Sequence, residues 1–442
     1  MTLRVRFFPN VHRGFREYLN EDSMKIIKIL IFSILFLLTL RSRPAIAISN
    51  PLAAPNNRFG IHIIDEGDLE DAAELVNSEG GDWGYATVVI RKDERDTSRW
   101  QKVFDRMRKL HLIPIIRIAT IQEGENWEKP VADEIDGWVS FLNSLNWVVK
   151  NRYVIVGNEP NNSMEWGGEV EPEEYAKYLT EIASRLKIKS EDFFILPAGL
   201  DASAPHNGLF MDEEIFIKRM LKANPEIFNL IDGWNSHSYP NPDFSGSVND
   251  TGRESIRTFE WELQLLENLG VEKDLPVFIT ETGWAHDIDT SSSNYKNTKQ
   301  VSENYVYAFE NVWNNEKIAA ITPFILNYQD NPFDIFSWKK DAGNYYNFYF
   351  DVQKLKKTKG TPIQEIKGEY IVKLLPMLIK SDGKKWGLAY IKNTGQKIWG
   401  DDETITLNLN DRKTIILHFS PSVTEPGHSG LFYFTTEISS EK

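Results

Sequence analysis

The sequence predicts a (β/α)8 barrel followed by a small all-β sandwich. From residue 59 to about residue 326, short apolar runs alternate eight times with helical patterns, the signature of repeated βα units. Beyond about residue 365 the helical periodicity disappears, and strand-like runs are separated by Ser-Asp-Gly, Asn-Thr-Gly, Asn-Asp and Pro-Gly turns, as in a small sandwich. A chain of 442 residues can hold both, since single cores stop growing at about 250–300 residues.

The βα units follow in order. Strand one is residues 59–64, and its helix, 69–77, has Leu69, Ala72, Ala73 and Val76 at helical spacing. Strand two is 86–91, with a helix from Ser98, read as its N-cap, to Leu110. Strand three is 112–118, followed by a helix over about 131–145. Strand four is 153–157, and its helix opens at Glu171-Pro172, with proline early in the helix. Strand five, 193–197, precedes a helix over 213–223; strand six, 231–237, precedes one over 254–269. Strand seven is 277–280, with a helix over about 299–313, and strand eight is 319–326. No Gly-x-Gly-x-x-Gly turn follows strand one, so an open dinucleotide-binding sheet loses its main support. The expected boundaries are 57–353 for the barrel, a linker over 354–360, and 365–442 for the sandwich.

The N-terminus reads as a targeting segment. Met24-Lys-Ile-Ile-Lys28 is basic, residues 29–40 are apolar apart from Ser33 and Thr39, and Ala45-Ile-Ala47 is a small-x-small cleavage signal. Residues 1–47 are thus expected to be an upstream stretch, with Met24 as the true start, and a secretory signal cleaved after Ala47. The apolar run is short of the about 20 residues a membrane span needs; an uncleaved N-terminal anchor is the alternative. The chain has no cysteine, so a secreted product must be stabilised by core burial rather than disulfides. A formal net charge of -14 with signs interspersed argues against nucleic-acid partners and disfavours anionic polymers as substrates.

Chemistry is concentrated at the strand ends. Val154-Ile-Val-Gly-Asn-Glu-Pro160 and Pro276-Val-Phe-Ile-Thr-Glu-Thr-Gly-Trp284 are apolar runs that each deliver a glutamate where turn chemistry begins. Buried parallel strands end this way, and barrel active sites lie at the C-terminal strand ends. Two carboxylates in one cleft are the minimum for glycosidic bond cleavage, so Glu159 and Glu281 are the catalytic candidates. Arg91, Arg117, His237, Tyr239, Asn327, Tyr328 and Gln329 sit at other strand ends. Polar groups gathered at a rim are costly unless they serve a site or satisfy each other. For Arg117, a purely structural ion pair with rim carboxylates is an equal alternative. Trp166, Trp284 and Trp338 are either sugar platforms or packing residues. His-x-His spacing is absent around His62, so no metal site is expected, and no cofactor.

The pattern over about residues 57–350 resembles the retaining (β/α)8 glycoside hydrolases of clan A, with families 5 and 39 the most similar. Asn158-Glu159-Pro160 resembles the clan's acid/base motif, and Glu281 in Ile-Thr-Glu-Thr-Gly-Trp its nucleophile. His237-x-Tyr239 resembles the clan's strand-six element, and Arg91 its strand-two arginine that pairs with the nucleophile. One departure is plain: many members place a tryptophan at the end of strand eight, where this chain has Asn327-Tyr328-Gln329 and only later Trp338. The C-terminal segment loosely resembles Ig-like accessory domains.

The resemblance implies a secreted, endo-acting, retaining O-glycosyl hydrolase of a poly- or oligosaccharide. Arg91, Asn158, His237, Tyr239, Trp284, Asn327 and Trp338 are then expected to bind substrate or support the site. In retaining chemistry the two carboxyl groups stand ~5–5.5 Å apart, and the acid must be held protonated. The rival reading is a non-catalytic carbohydrate-binding or cell-surface adhesion protein on the same scaffold. Sugar, linkage and oligomeric state are set by loops and surfaces that the pattern leaves open.

Overall fold

The computed structural model describes residues 48–287, 295–372, 378–379, 385–400, 405–409, 413–419 and 423–438. The expected signal segment and the cleavage after Ala47 lie outside them. Among the described residues no helix is long and apolar enough to cross a membrane.

Eight parallel strands form the barrel: β1 (Gly60–Ile63), β2 (Gly84–Arg91), β3 (Leu112–Ala119), β4 (Arg152–Val156), β5 (Phe193–Pro197), β6 (Trp234–His237), β7 (Val277–Glu281) and β8 (Ile318–Ile321). The first five pair in sequence order, and β6, β7 and β8 pair as a second parallel group. The ring closes at two seams. Phe59 bridges Ile321 in parallel and Asp201 bridges His237, and the Asp232 amide donates to the Ile195 carbonyl at 2.9 Å. Every residue of β1, β5, β6, β7 and β8 is buried. Burial along whole strands is what a parallel sheet covered by helices requires; β6, Trp234-Asn-Ser-His237, is buried although three of its four residues are polar.

The helices are α1 (Leu69–Val76), α2 (Thr97–Lys109), α3 (Ile135–Ser144), α4 (Pro172–Lys189), α5 (Glu213–Ala223), α6 (Thr258–Asn268), α7 (Thr298–Tyr307) and α8 (Asn347–Gln353). Ser98 does not cap α2. Asp96 does, because its carboxylate accepts from both the Ser98 and Arg99 amides, satisfying two donors that a helix start leaves free. The last barrel strand is shorter than the apolar run that signals it. Pro323 cannot donate to a ladder, and the chain leaves the sheet after Ile321.

Residues 354–360 do not behave as a free linker. The buried Lys357 ammonium donates to the Val352, Gln353 and Leu355 carbonyls and to Ser78 Oγ, and the Gly360 amide donates to the Asp82 carbonyl. Beyond it lie β9 (Gly368–Val372), β10 (Leu378–Ile379), β11 (Lys385–Asn393), β12 (Ile405–Leu409), β13 (Lys413–Phe419) and β14 (Ser429–Ile438). They form a single antiparallel sheet in the order β9-β11-β14-β13-β12, with β10 also on β11. The two facing layers of a sandwich are not seen among the described residues. This region is tied to the chain just before β4, at the barrel end opposite the C-terminal strand ends. The Lys150 amide donates to the Ile363 carbonyl, Gln396 Nε2 to the Val149 carbonyl and Asn146 Nδ2 to the Gly395 carbonyl.

Candidate active site

Glu159 and Glu281 meet at the C-terminal strand ends. Glu281 is the last residue of β7 and is buried. Glu159 follows β4 after a sharp turn in which Gly157 has φ 88°, a backbone region that favours glycine. Glu159 itself has φ 31°, costly for a side-chain-bearing residue by about 1–3 kcal/mol. Its amide donates to the Gly199 carbonyl at 3.0 Å and its carbonyl accepts from the Asn162 amide at 2.8 Å, which pins this conformation.

His237, the end of β6, lies between the two acids. Its Nδ1 is 2.7 Å from a Glu159 oxygen and 3.9 Å from a Glu281 oxygen. One oxygen of each glutamate and a His237 nitrogen all fall within 4.8 Å of one another. The ring fits only because residue 199 is glycine: a Cβ there would lie 2.1 Å from His237 Cδ2. Tyr239 donates its hydroxyl to Glu281 at 3.1 Å. Arg117 Nη1 donates to the other Glu281 oxygen at 2.6 Å and also to Asn158 Oδ1.

These contacts split the two acids. Burial pushes the Glu159 carboxyl above its usual range, aided by the nearby Asp201 and Glu281 charges and only partly opposed by His237. Burial acts in the same sense on Glu281, but there it is outweighed. The His237 and Arg117 charges, with the Tyr239 hydrogen bond, hold Glu281 below the ordinary carboxylate value. Burial lowers the His237 pKa, yet the Glu281 charge and the Glu159 hydrogen bond carry it above normal. His62, fully buried on β1, is pushed down to about 3, chiefly by burial, and stays neutral. A cation among Glu159, His237 and Glu281 would sit beside the Arg117 guanidinium, which the charges disfavour.

The structure brings together Asn158, Glu159, His237, Tyr239 and Glu281. It does not bring Arg91 to them. Arg91 is exposed and turns to Asp93 at 3.2 Å and toward Glu94 at 3.6 Å. The turn Lys92–Glu94 folds those acids back over it, and Arg117, on the neighbouring strand, takes the role expected of it. Trp284 is buried and donates to the Gly246 carbonyl at 2.9 Å. Trp338 is buried against Tyr305 and Phe348, and Trp166 against Tyr175 and Tyr178. All three are core residues rather than sugar platforms. Asn327 is tied to Asp68 at 3.1 Å, and Lys339 closes the same cluster at 2.7 Å. The sequence pattern missed Glu165, which ends the short turn Ser163–Glu165 after β4 and whose carboxyl is pushed up to about 7, by burial first and then by the Glu159 charge. No periodicity marks such a loop acid. Arg117 was more visible, as a charge inside the apolar run Leu-Ile-Pro-Ile-Ile-Arg-Ile.

No protein-family model and no curated protein matches the chain. Solved structures do resemble it, and they are (β/α)8-barrel glycoside hydrolases at low identity. An α-L-arabinofuranosidase from Thermotoga maritima is 13% identical with a TM-score of 0.45, covering 89% of this chain and 94% of its own. A family 39 β-xylosidase from Caulobacter crescentus is 14% identical with a TM-score of 0.44, covering 82% and 83%. A β-mannanase from Thermomonospora fusca is 14% identical with a TM-score of 0.44, covering 68% and 89%.

Proposed function

We propose that this protein is a retaining O-glycosyl hydrolase acting on a poly- or oligosaccharide, with Glu281 as nucleophile and Glu159 as acid/base. One observation carries the reading. Two glutamates from the ends of β4 and β7 have oxygens within 4.8 Å of each other, and their surroundings push one carboxyl up and the other down. Oxygens this near support direct attack by a carboxylate over the inverting arrangement, whose carboxyl groups stand about 6.5–9.5 Å apart to seat a water.

In the reaction, ionised Glu281 attacks the anomeric carbon while protonated Glu159 gives its proton to the leaving oxygen. Arg117 and Tyr239 hold Glu281 charged and aligned. Glu159, now a carboxylate, then takes a proton from the water that cleaves the glycosyl-enzyme. His237 keeps Glu159 in place. The cleavage is internal to a glycan chain, and the N-terminal segment exports the enzyme with processing after Ala47.

The test is azide rescue. Glu159→Ala loses about 10²–10⁴-fold in rate, least on substrates with a good leaving group. Azide should restore turnover with retained configuration, since two displacements still occur. Glu281→Ala with azide should give the inverted product, since only one does. Swapped stereochemistry would reverse the roles, and wild-type rates in both variants would remove the site. Glycan binding without hydrolysis by the wild type would favour a carbohydrate-binding role.

A further inference from the structure

Trp166, Trp284 and Trp338 are core residues, but Trp127 is not. It stands on a short hairpin between β3 and α3, in which Gln122 pairs with Trp127 and Glu123 with Asn126. Gly124 turns the hairpin at φ 65°, a conformation that favours glycine. The hairpin is pinned at its base: the Glu128 amide donates to the Ile121 carbonyl at 2.9 Å, and Thr120 Oγ1 donates to the Glu128 carbonyl at 2.8 Å. The loop after β4 holds it from the side, where the Gly167 amide donates to the Trp127 carbonyl at 2.9 Å.

Between this hairpin, Lys92 and Gly167 lies a pocket of about 420 Å³, lined also by Glu123, Asn126, Trp127 and Glu128. That is within the about 300–1,000 Å³ of small-molecule pockets, toward the lower end. Its walls come from the chain after β2, β3 and β4, so it lies at the same barrel end as Glu159 and Glu281 and contains none of the residues gathered around them. Trp127 is half-buried and does not pack on the barrel core. The other half-buried tryptophans have partners: Trp83 stacks on His111, and Trp261 lies under Arg253. Among the described residues the Trp127 ring has none, the Trp127 and Asn126 side chains make no hydrogen bond within the protein, and the exposed Glu123 is in no ion pair. The two lysines are already matched, Lys92 by Glu128 and Lys129 by Glu169 and Glu171.

An open aromatic face flanked by an amide and a carboxylate suits a sugar. The sugar's C–H face packs on the ring, and its hydroxyls both donate and accept. With each lysine matched by a glutamate, no free cation selects an anionic ligand. We propose that the Trp127 pocket is an additional sugar-binding site, which holds a neutral sugar unit of the glycan that Glu159 and Glu281 cleave: the indole stacks on the sugar ring, and Asn126 and Glu123 bind its hydroxyls. The inference rests on the hydrolase reading and extends it, because a site apart from the cleaved bond favours oligosaccharide chains over single glycosides. The pinned hairpin forms the pocket in advance, so little ordering is needed on binding.

The experiment compares wild type, Trp127→Ala and Trp127→Phe on aryl glucosides, mannosides and xylosides and on the matching long oligosaccharides. Wild-type kcat/KM should rise with chain length. Trp127→Ala should reduce the ratio of long-chain to aryl-glycoside kcat/KM about tenfold, through KM. Trp127→Phe, which keeps an aromatic face, should restore most of it. A merely structural role would lower both substrates together; an unmoved ratio therefore overturns the inference. Binding is measured separately by calorimetry with the same oligosaccharides in Glu281→Gln, where turnover is blocked. Adding Trp127→Ala should weaken that binding about tenfold. Equal affinity with and without Trp127, or no binding of any neutral oligosaccharide, also overturns the inference. Trp127-dependent binding of neutral oligosaccharides by a wild type that hydrolyses none of them would instead sink the hydrolase reading and leave the role of the pocket standing.

Discussion

Strand β6 separates two pairs of glutamates. Inside the barrel are Glu159 and Glu281, bridged by His237 from the strand's inner face. Behind it, Glu213 from α5 and Glu262 from α6 are both fully buried and meet each other next to Trp234 and Ser236, from the outer face. The inner pair has a guanidinium, an imidazole and a phenol aimed at it. The outer pair has no donor in good hydrogen-bond geometry on any of its four oxygens, and Trp234 and Ser236 approach only loosely. Arg253, whose charge reaches Glu213, is hydrogen-bonded to Asp212. Desolvation acts to raise all four carboxyls. Inside the barrel, added partners drive the two carboxyls in opposite directions. Behind it, burial and mutual repulsion push Glu213 up, and burial pushes Glu262 up. Cationic partners, rather than burial or pairing, separate a pair able to do acid–nucleophile chemistry from one that can only hold protons.

The strongest way to break this contrast is to make the same isosteric change in each pair. Glu281→Gln should cut kcat by roughly 10⁴-fold or more while leaving the far-UV circular dichroism and melting temperature near wild type. Glu262→Gln should leave kcat within a small factor, because its amide can donate to Glu213. A large kcat loss in Glu262→Gln with an intact fold would show that the outer pair acts on the reaction.

Next in size is the seat of His237. In Gly199→Ala the new Cβ would lie 2.1 Å from the ring, so the imidazole must move off Glu159. A misplacement on the order of 1 Å can cost about 10²-fold. The loss should appear in kcat, and the pH profile should change because Glu159 loses its partner. An unchanged profile would remove His237 from the positioning of the acid.

How much of this was legible in the sequence follows from what each residue must satisfy. The barrel was, because buried parallel strands are continuous apolar runs and the helices between them carry a 3.6-residue period. Glu159 and Glu281 were, because a carboxylate closing such a run needs a purpose. Arg117 was half legible. An arginine within β3 must find an anion, but which anion depends on strands far away in sequence. Arg91 was misread because the acids of its own turn, Asp93 and Glu94, compete for it locally. Trp284 and Trp338 were misread because side-chain direction beyond a strand end follows loop geometry. The outer pair, Glu213 and Glu262, was invisible. Each looks like a surface helix glutamate, and α5 even begins with Glu213, where acids are common.

The outer pair also sets a pH signature for stability. A carboxyl whose folded pKa is raised contributes stability below its unfolded value, about 4.3. That stability is lost as the pH rises toward the folded value. Wild-type stability should therefore fall as the pH rises above about 4.3 toward the folded values, by at most about 1.4 kcal/mol per pH unit for each proton involved. Glu213→Gln should flatten that slope in urea titrations at pH 6, 7 and 8. Glu281 contributes in the opposite sense: its depressed pKa gives stability that is lost as the pH falls through its folded value. A steeper slope in Glu213→Gln would mean that the pair is not holding a proton.

The smallest expected effect concerns the residue that was assigned to the wrong side of the contrast. Arg91 lies two positions beyond Val89, and Val89 pairs in register with Arg117. The strand has therefore carried it past the level at which Arg117 reaches Glu281. Its side chain is 44% exposed and its ion pairs with Asp93 and Glu94 are local. Exposed pairs of this kind are worth about 0–1 kcal/mol. Arg91→Ala should thus shift stability by no more than about 0.5 kcal/mol. It should leave the acid limb of the kcat/KM profile in place, because that limb reports Glu281 and its Arg117 partner. Arg117→Met should move the same limb upward, since the carboxylate would lose the cation that keeps it ionised against burial. An upward shift in Arg91→Ala instead would place Arg91 at the nucleophile and return Arg117 to a purely structural role.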